Sequence, residues 1–259
     1  MAALFDGPGL AIAGHGPDTL GFIFLAFLLA AAAKGVTGLG FSTCCLPLLT
    51  IAIGLKEALP LVFLPSLASN AAVILQAGHM REMARRFRWL YLGAGTGTAI
   101  GVAILGAVSG ATAGAVLGAV LVAYCAFALS RPAWRLAARL ERPLAGPVGL
   151  STGVIAGLTG SQVLPVMPYL LAIGLERERM VTTVNISFTL CSLVMATGLA
   201  SLGLLGPEEL LLSALGIGVA VIGVRLGTRV RKRLAPESFR LAVLVMLAFA
   251  GASLILRAV

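Results

Sequence analysis

Ten apolar runs, separated by short polar breaks, decide most of what this chain can fold into. They fall at about 19 to 33, 39 to 54, 58 to 77, 88 to 108, 111 to 130, 146 to 159, 163 to 175, 180 to 204, 208 to 224 and 238 to 256. Backbone inside lipid has no water to bond, so such runs become helices or the strands of a closed barrel. Barrel strands alternate apolar with polar residues, and these runs do not. An all-α fold is therefore predicted, a polytopic transmembrane helical bundle. Composition agrees, since 59% of the 259 residues are apolar and 11% are charged, against about a quarter charged in soluble domains.

The net charge of +9 does not point to nucleic acid, because the cations gather in three short breaks: Arg81 to Arg88, Arg131 to Arg142, and Arg229 to Arg233. This is the positive-inside pattern, which sets orientation. With the three loops cytoplasmic, an even number of crossings joins each to the next. The loop with Glu208 and Glu209 then falls outside, as do both termini. The first twenty residues hold Asp6 and Asp18 but no Lys or Arg. The basic start of a secretory signal is thus missing, and the first run is expected to stay in the mature protein. Cys44, Cys45, Cys125 and Cys191 lie in apolar surroundings, with no Cys-x-x-Cys and no histidine at metal spacing, and read as packing residues. His15 and His79 read as solvated loop residues. No metal and no cofactor is expected.

Inside the apolar stretch from Leu20 to Leu55, the segment Lys34-Gly35-Val36-Thr37-Gly38-Leu39-Gly40-Phe41-Ser42 places one ammonium among glycines. A cation at the centre of a membrane helix costs about 3 kcal/mol, so something must use or pair it. About 120 residues later Gly157-Leu158-Thr159-Gly160-Ser161 echoes Gly35-Val36-Thr37-Gly38, and Ala172-Ile173-Gly174-Leu175 echoes Ala52-Ile53-Gly54-Leu55. The runs flanking each Thr-Gly motif are shorter than the roughly 20 residues a span needs. Each half is therefore expected to begin with a broken or re-entrant helix pair. The first half, 17–130, enters its motif from outside and the second, 146–257, from inside, so the halves read as inverted-topology repeats. A cytoplasmic linker, 131–145, joins them, and an N-terminal segment, 1–16, precedes them. Interrupted helices at matching places in inverted halves are a recurring plan of secondary transporters. The ladders Gly93, Gly97, Gly101 and Gly223, Gly227 read as close helix packing.

Where a helix restarts inside a membrane, its first N–H groups lack partners and its dipole leaves positive potential, which suits an oxyanion. Candidate ligands in the first half are Lys34, Thr37, Gly38, Gly40, Ser42 and Thr43. In the second half they are Thr159, Gly160, Ser161 and Gln162, with Ala156 standing where Lys34 aligns. Asn70 and Asn185, in the helices that follow, complete the set. Each has a plainer reading that stays open. Lys34 can snorkel or bond a carbonyl; the glycines can serve only to turn the chain; Thr37 and Thr159 can bond back to a carbonyl. Gln162 can be paired structurally, and Asn70 and Asn185 can tie helices together. Pro47 and Pro168 read as shaping the broken helices.

Both Asp and all eight Glu lie in loops or near segment ends, so coupling through an intramembrane acid is not expected. No Gly-x-x-x-x-Gly-Lys-Ser/Thr is present, which argues against ATP-driven transport by this chain alone. An intramembrane hydrolase using Ser42 or Ser161 would need a positioned base, and with no histidine or carboxylate at that depth Lys34 alone would have to act. A non-transporting assembly factor would need no polar midplane. The chain is therefore read as a carrier and not an enzyme.

The inverted halves, the Gly-x-Thr-Gly segments, Leu59-Pro60-Leu61-Val62-Phe63-Leu64-Pro65-Ser66-Leu67-Ala68-Ser69-Asn70, and Gly223-Val224-Arg225-Leu226-Gly227-Thr228-Arg229-Val230-Arg231-Lys232-Arg233-Leu234 together resemble the TauE/SafE family, the sulfite exporters. The likeness runs over nearly the whole chain. The second half departs from the first, because Gln162 and Pro165 alter the spacing between the Thr-Gly motif and Pro168. The resemblance implies export of a small sulfur-containing anion, sulfite or an organosulfonate, by alternating access across a bacterial inner membrane. Its expected partners are that anion and the lipid bilayer, with no nucleic acid. A homodimer is compatible with this plan.

Overall fold

The computed structural model describes residues 14, 16–37, 40–130, 134–231 and 236–257. Asp6, His15, Gly38, Arg131, Lys232 and Arg233 lie outside the described residues, as do the side chains of Thr37 and Glu237. Twelve helices occur among the described residues: α1 (Pro17–Thr37), α2 (Phe41–Ile53), α3 (Leu55–Leu61), α4 (Phe63–Ala77), α5 (Met80–Arg86), α6 (Arg88–Ala107), α7 (Gly110–Ser130), α8 (Ala138–Thr159), α9 (Val166–Ile173), α10 (Arg177–Ser201), α11 (Pro207–Arg231) and α12 (Pro236–Leu256). Five of them, α1, α6, α7, α10 and α11, are long and apolar enough to cross a membrane, and the bent pair α3 and α4 makes a sixth.

Helix lengths differ from the apolar runs in three instructive places. The run at 19–33 belongs to the 21-residue α1, and the run at 146–159 to the 22-residue α8. Only the second member of each pair is short, 13 residues in α2 and 8 in α9. The helix continues through Lys34 because its ammonium is buried against polar side chains, so hydropathy falls there while helical hydrogen bonding does not. The run at 58–77 is broken at Val62, where α3 and α4 meet at a bend of 47°. Pro65 explains the break: it has no N–H for the Leu61 carbonyl four residues back, and its ring crowds that carbonyl.

Three helix pairs approach almost backbone to backbone: α6 with α8, α1 with α11, and α7 with α12, where a side chain at Gly118 would strike the Gly251 carbonyl. On α6 and α8, a side chain at Gly97 would strike the Leu150 carbonyl, and one at Gly153 would strike that of Ala94. On α1 and α11, a side chain at Gly35 would strike the Val224 carbonyl, and one at Gly227 that of Ala32. Close van der Waals packing of this kind is the main attraction between helices in lipid. The leading glycine of each Thr-Gly motif, Gly35 and Gly157, therefore serves packing. α4 lies on α10 and α7 on α12. Phe27, Phe41, Leu46, Leu49, Leu59 and Leu121 fill the larger apolar core, and Phe87, Leu90, Val166, Leu170 and Val184 a second. Phe41, Leu46 and Leu49 of α2 belong to the first of these cores, and Val163 of the link before α9 to the second.

Candidate functional site

The first break is compact. Gly40 turns the chain with a left-handed backbone, φ 79°, and α2 starts at once at Phe41 with no side chain capping its first turn. The N–H groups of Phe41, Ser42 and Thr43 thus have no partner within the helix. Lys34, in the last turn of α1, is only 1% exposed. Its Nζ donates to Ser69 Oγ at 3.1 Å and to Asn70 Oδ1, both on α4. Ser69 Oγ donates to the Ser66 carbonyl at 2.9 Å, and Ser66 Oγ lies 2.5 Å from Ser42 Oγ. A polar thread therefore runs from Lys34 through α4 into the first turn of α2. Among the described residues no carboxylate pairs with Lys34; the ion pairs join Arg86 to Glu141 and Arg179 to Glu82 and Glu176.

The second break is longer. α8 ends at Thr159, Gly160 takes φ 73°, and residues 161–165 form no helix before α9 begins at Val166. Ser161 and Gln162 therefore lie in an irregular link and not in a restarting first turn, which corrects the expected correspondence with Ser42. Pro165 is the physical reason, since the residue before a proline is disfavoured in the helical region. A Cβ on Gly160 would collide with Leu46 of α2 and Leu59 of α3, so the turn and the close approach both call for glycine. Gln162 is buried; its Nε2 lies 3.5 Å from Ser192 Oγ, and its Oε1 has no hydrogen-bond partner.

The two breaks meet. Gly40, Ser42, Thr43, Ser66, Asn70, Gly160, Gln162, Phe188 and Ser192 line one cavity of about 10 Å³. A neighbour of about 20 Å³ shares Ser42, Ser66, Gly160, Gln162 and Ser192 with it and is otherwise apolar, with Leu59, Phe63 and Met195. Each holds about one water, so this conformation is closed around a small polar centre. The groups gathered there are hydroxyls, the two amides of Asn70 and Gln162, and free backbone N–H groups, with an ammonium one side chain behind. Such a set suits an oxyanion. It does not suit hydrolysis, because the neighbour of Ser42 Oγ is another hydroxyl and no base accompanies it. No cluster of His, Cys, Asp or Glu fit for a metal occurs among the described residues.

A family model described as Sulfite exporter TauE/SafE matches residues 23–254. The chain belongs to the TauE/SafE family. It is accordingly a multi-pass membrane transporter of a sulfite exporter family, which is not a family of enzymes. No curated protein and no solved structure matches the chain. The TauE/SafE match takes in both breaks and every residue of the cavity.

Of the residues singled out from sequence, Gly40, Ser42, Thr43, Asn70, Gly160 and Gln162 line the cavity, and Lys34 stands behind Asn70. Thr159, Ser161 and Asn185 do not. Thr159 Oγ1 donates to the Ile155 carbonyl at 2.7 Å and accepts from Ser161 N at 3.2 Å, capping the end of α8. Ser161 Oγ is buried without a partner and away from the cavity lining. Asn185 Nδ2 donates to the Val181 carbonyl of its own helix at 2.8 Å. Ser66, Ser69 and Ser192 escaped the sequence reading. The first two had a signal, since Ser66, Ser69 and Asn70 are spaced to share one face of an otherwise apolar helix. Ser192 had none, because α10 carries many hydroxyls.

Proposed function

We propose that this chain exports a small sulfur oxyanion, sulfite or an organosulfonate, by alternating access through the cavity between its two breaks. One observation carries the reading: the free N-terminus of α2 and the Gly160–Gln162 link, one from each half, line the same buried cavity with Lys34 behind it. Lys34 supplies the charge. Ser42 and Thr43, with their backbone N–H groups, supply directed donors, and Gln162 and Ser192 close the opposite side. An ammonium surrounded only by neutral groups leaves its field uncompensated, and an anion in the cavity compensates it.

Two inverted halves, 17–130 and 146–257, give this site its alternation. The packing supports the reading by reciprocity: α1 of the first half lies on α11 of the second, and α8 of the second on α6 of the first. α4 with α10, and α7 with α12, then pair each helix with its own counterpart. Both termini face outside, on the strength of the three basic loops. The Asp and Glu with described side chains are all at least partly exposed, which supports transport without a buried acid. Export is then driven by the anion gradient and by the membrane potential, at about 2.3 kcal/mol per charge per 100 mV.

The test is anion flux in proteoliposomes, with sulfite, sulfonates, thiosulfate and sulfate in competition, for the wild type and Lys34→Met. Losing one partner of a buried charge pair costs 2 to 5 kcal/mol, so flux should fall about a hundredfold or more while the variant stays monodisperse. Transport of none of these anions would defeat the substrate reading. Unchanged flux in Lys34→Met would defeat the site.

A further inference from the structure

The basic residues that orient the chain do more than spread over its surface. Arg85, Arg86 and Arg88, around the start of α6, and Arg139 and Arg142, in the first turns of α8, line one cavity of about 650 Å³ with Trp89 and Glu141. Five guanidinium groups thus share a concavity with a single carboxylate. That carboxylate is already engaged, since Arg86 Nε donates to Glu141 Oε1 at 2.8 Å. Among the described residues, Arg85, Arg88, Arg139 and Arg142 have no ion-pair partner. Orientation needs positive charge near the ends of spans. It does not need five like charges drawn from the first half and the linker into one hollow, where they repel.

We propose that this cavity binds the phosphodiester headgroup of an anionic phospholipid. Guanidinium groups match phosphate oxygens through paired, charge-assisted hydrogen bonds, and several in one hollow can grip one headgroup from different sides. A phosphate oxyanion is the shared chemistry of a lipid and a free phosphate, and the wall below the arginines favours the lipid. Trp89 (54% exposed), Leu92 (57%) and Ile100 (48%) follow one another down a single face of α6. Thr96 lies on the same face and turns its hydroxyl inward to the Leu92 carbonyl at 3.0 Å. Acyl chains of a lipid held at the arginines run along this stripe, whereas a free phosphate leaves it unused. Trp89 sits at the boundary, as aromatic residues at membrane interfaces do, with the Arg88 guanidinium 5.3 Å from its ring centre. A lipid here braces α6 of the first half to α8 of the second.

Detergent-purified protein, with added phosphatidylglycerol or phosphatidylcholine, tests this by native mass spectrometry of the lipids retained. Wild type should retain phosphatidylglycerol and discriminate against phosphatidylcholine. Arg88→Gln, Arg139→Gln and Arg142→Gln should each lower retention by about fivefold, the effect of one basic residue at an anionic surface. Arg142→Lys should recover part of it. Lys56→Gln, beside Gly110 at the opposite end of the bundle, should match wild type. The arginine positions are exposed, so folding should survive, and elution as a monodisperse species checks it. Equal retention by Arg139→Gln, Arg142→Gln and wild type would overturn the proposal. Displacement of the lipid by inorganic phosphate at equal concentration would do so as well, by assigning the hollow to a free anion.

Discussion

The two breaks face one cavity and do different work. In the first, α2 restarts directly after the left-handed Gly40, so Ser42 and Thr43 ride on an uncapped helix start with Lys34 nearby. In the second, Pro165 holds off the restart and the link carries no charge, so the wall is made by the Gln162 amide and by Ser192 from α10. In the proposed mechanism, electrostatic attraction is concentrated at the first break and shape at the second. The comparison teaches that sequence echo between repeats does not imply equal roles. Gly40 and Gly160 both turn the chain with a left-handed backbone, while the residues around them differ in charge and in hydrogen-bonding groups.

The largest effect that would break this division comes from Gln162→Glu. A carboxylate on the neutral wall opposes the anion at close range, so flux should fall to background, about a hundredfold or more; proteoliposome assays read it directly. If flux survives, the anion does not pass Gln162. Gly160→Ala and Gly40→Ala test the turns. The left-handed backbone alone costs roughly 1 to 2 kcal/mol in either. Only Gly160 adds collisions with Leu46 and Leu59, worth about 1 to 3 kcal/mol more. Thermal unfolding in detergent should therefore show a clearly larger loss for Gly160→Ala, and equal losses would remove the difference between the turns. Ser42→Ala and Ser192→Ala each delete one neutral hydrogen-bonding group and should lower flux about fivefold; a much larger loss from Ser192→Ala would shift attraction to the second half. The smallest effect is outside the site. The Glu141 hydrogen bond raises the pKa of the Arg86 guanidinium above its ordinary value, yet both groups are partly exposed, so Glu141→Gln should cost under about 1 kcal/mol. Flux should not change.

What could be read from sequence followed from locality. The all-helical plan came from runs of apolar residues, and the turns at Gly40 and Gly160 came from glycines that announce themselves within a few positions. Lys34 was legible because an unpaired charge in an apolar stretch has few bland explanations. Its partners were not: Ser69 and Asn70 lie 35 and 36 residues away, and only the 47° bend after α3 brings α4 into place. That bend was itself concealed, since Leu61, Val62 and Phe63 continue the apolar run across it. For Thr159 and Asn185 the sequence left a ligand role and a structural role open. Their side-chain types suit a ligand, but each donates to a carbonyl one turn back on its own helix, and composition does not reveal that.

Whether an anion is held between α2 and the Gly160–Gln162 link can be seen directly. Crystals grown with 2-bromoethanesulfonate and measured at the bromine edge should show anomalous density beside the Ser42 and Thr43 N–H groups, facing Gln162, and should lose it in Lys34→Met. Density confined to the arginine-lined surface hollow, or a midplane peak that persists in Lys34→Met, would contradict the assignment of this site and of its charge.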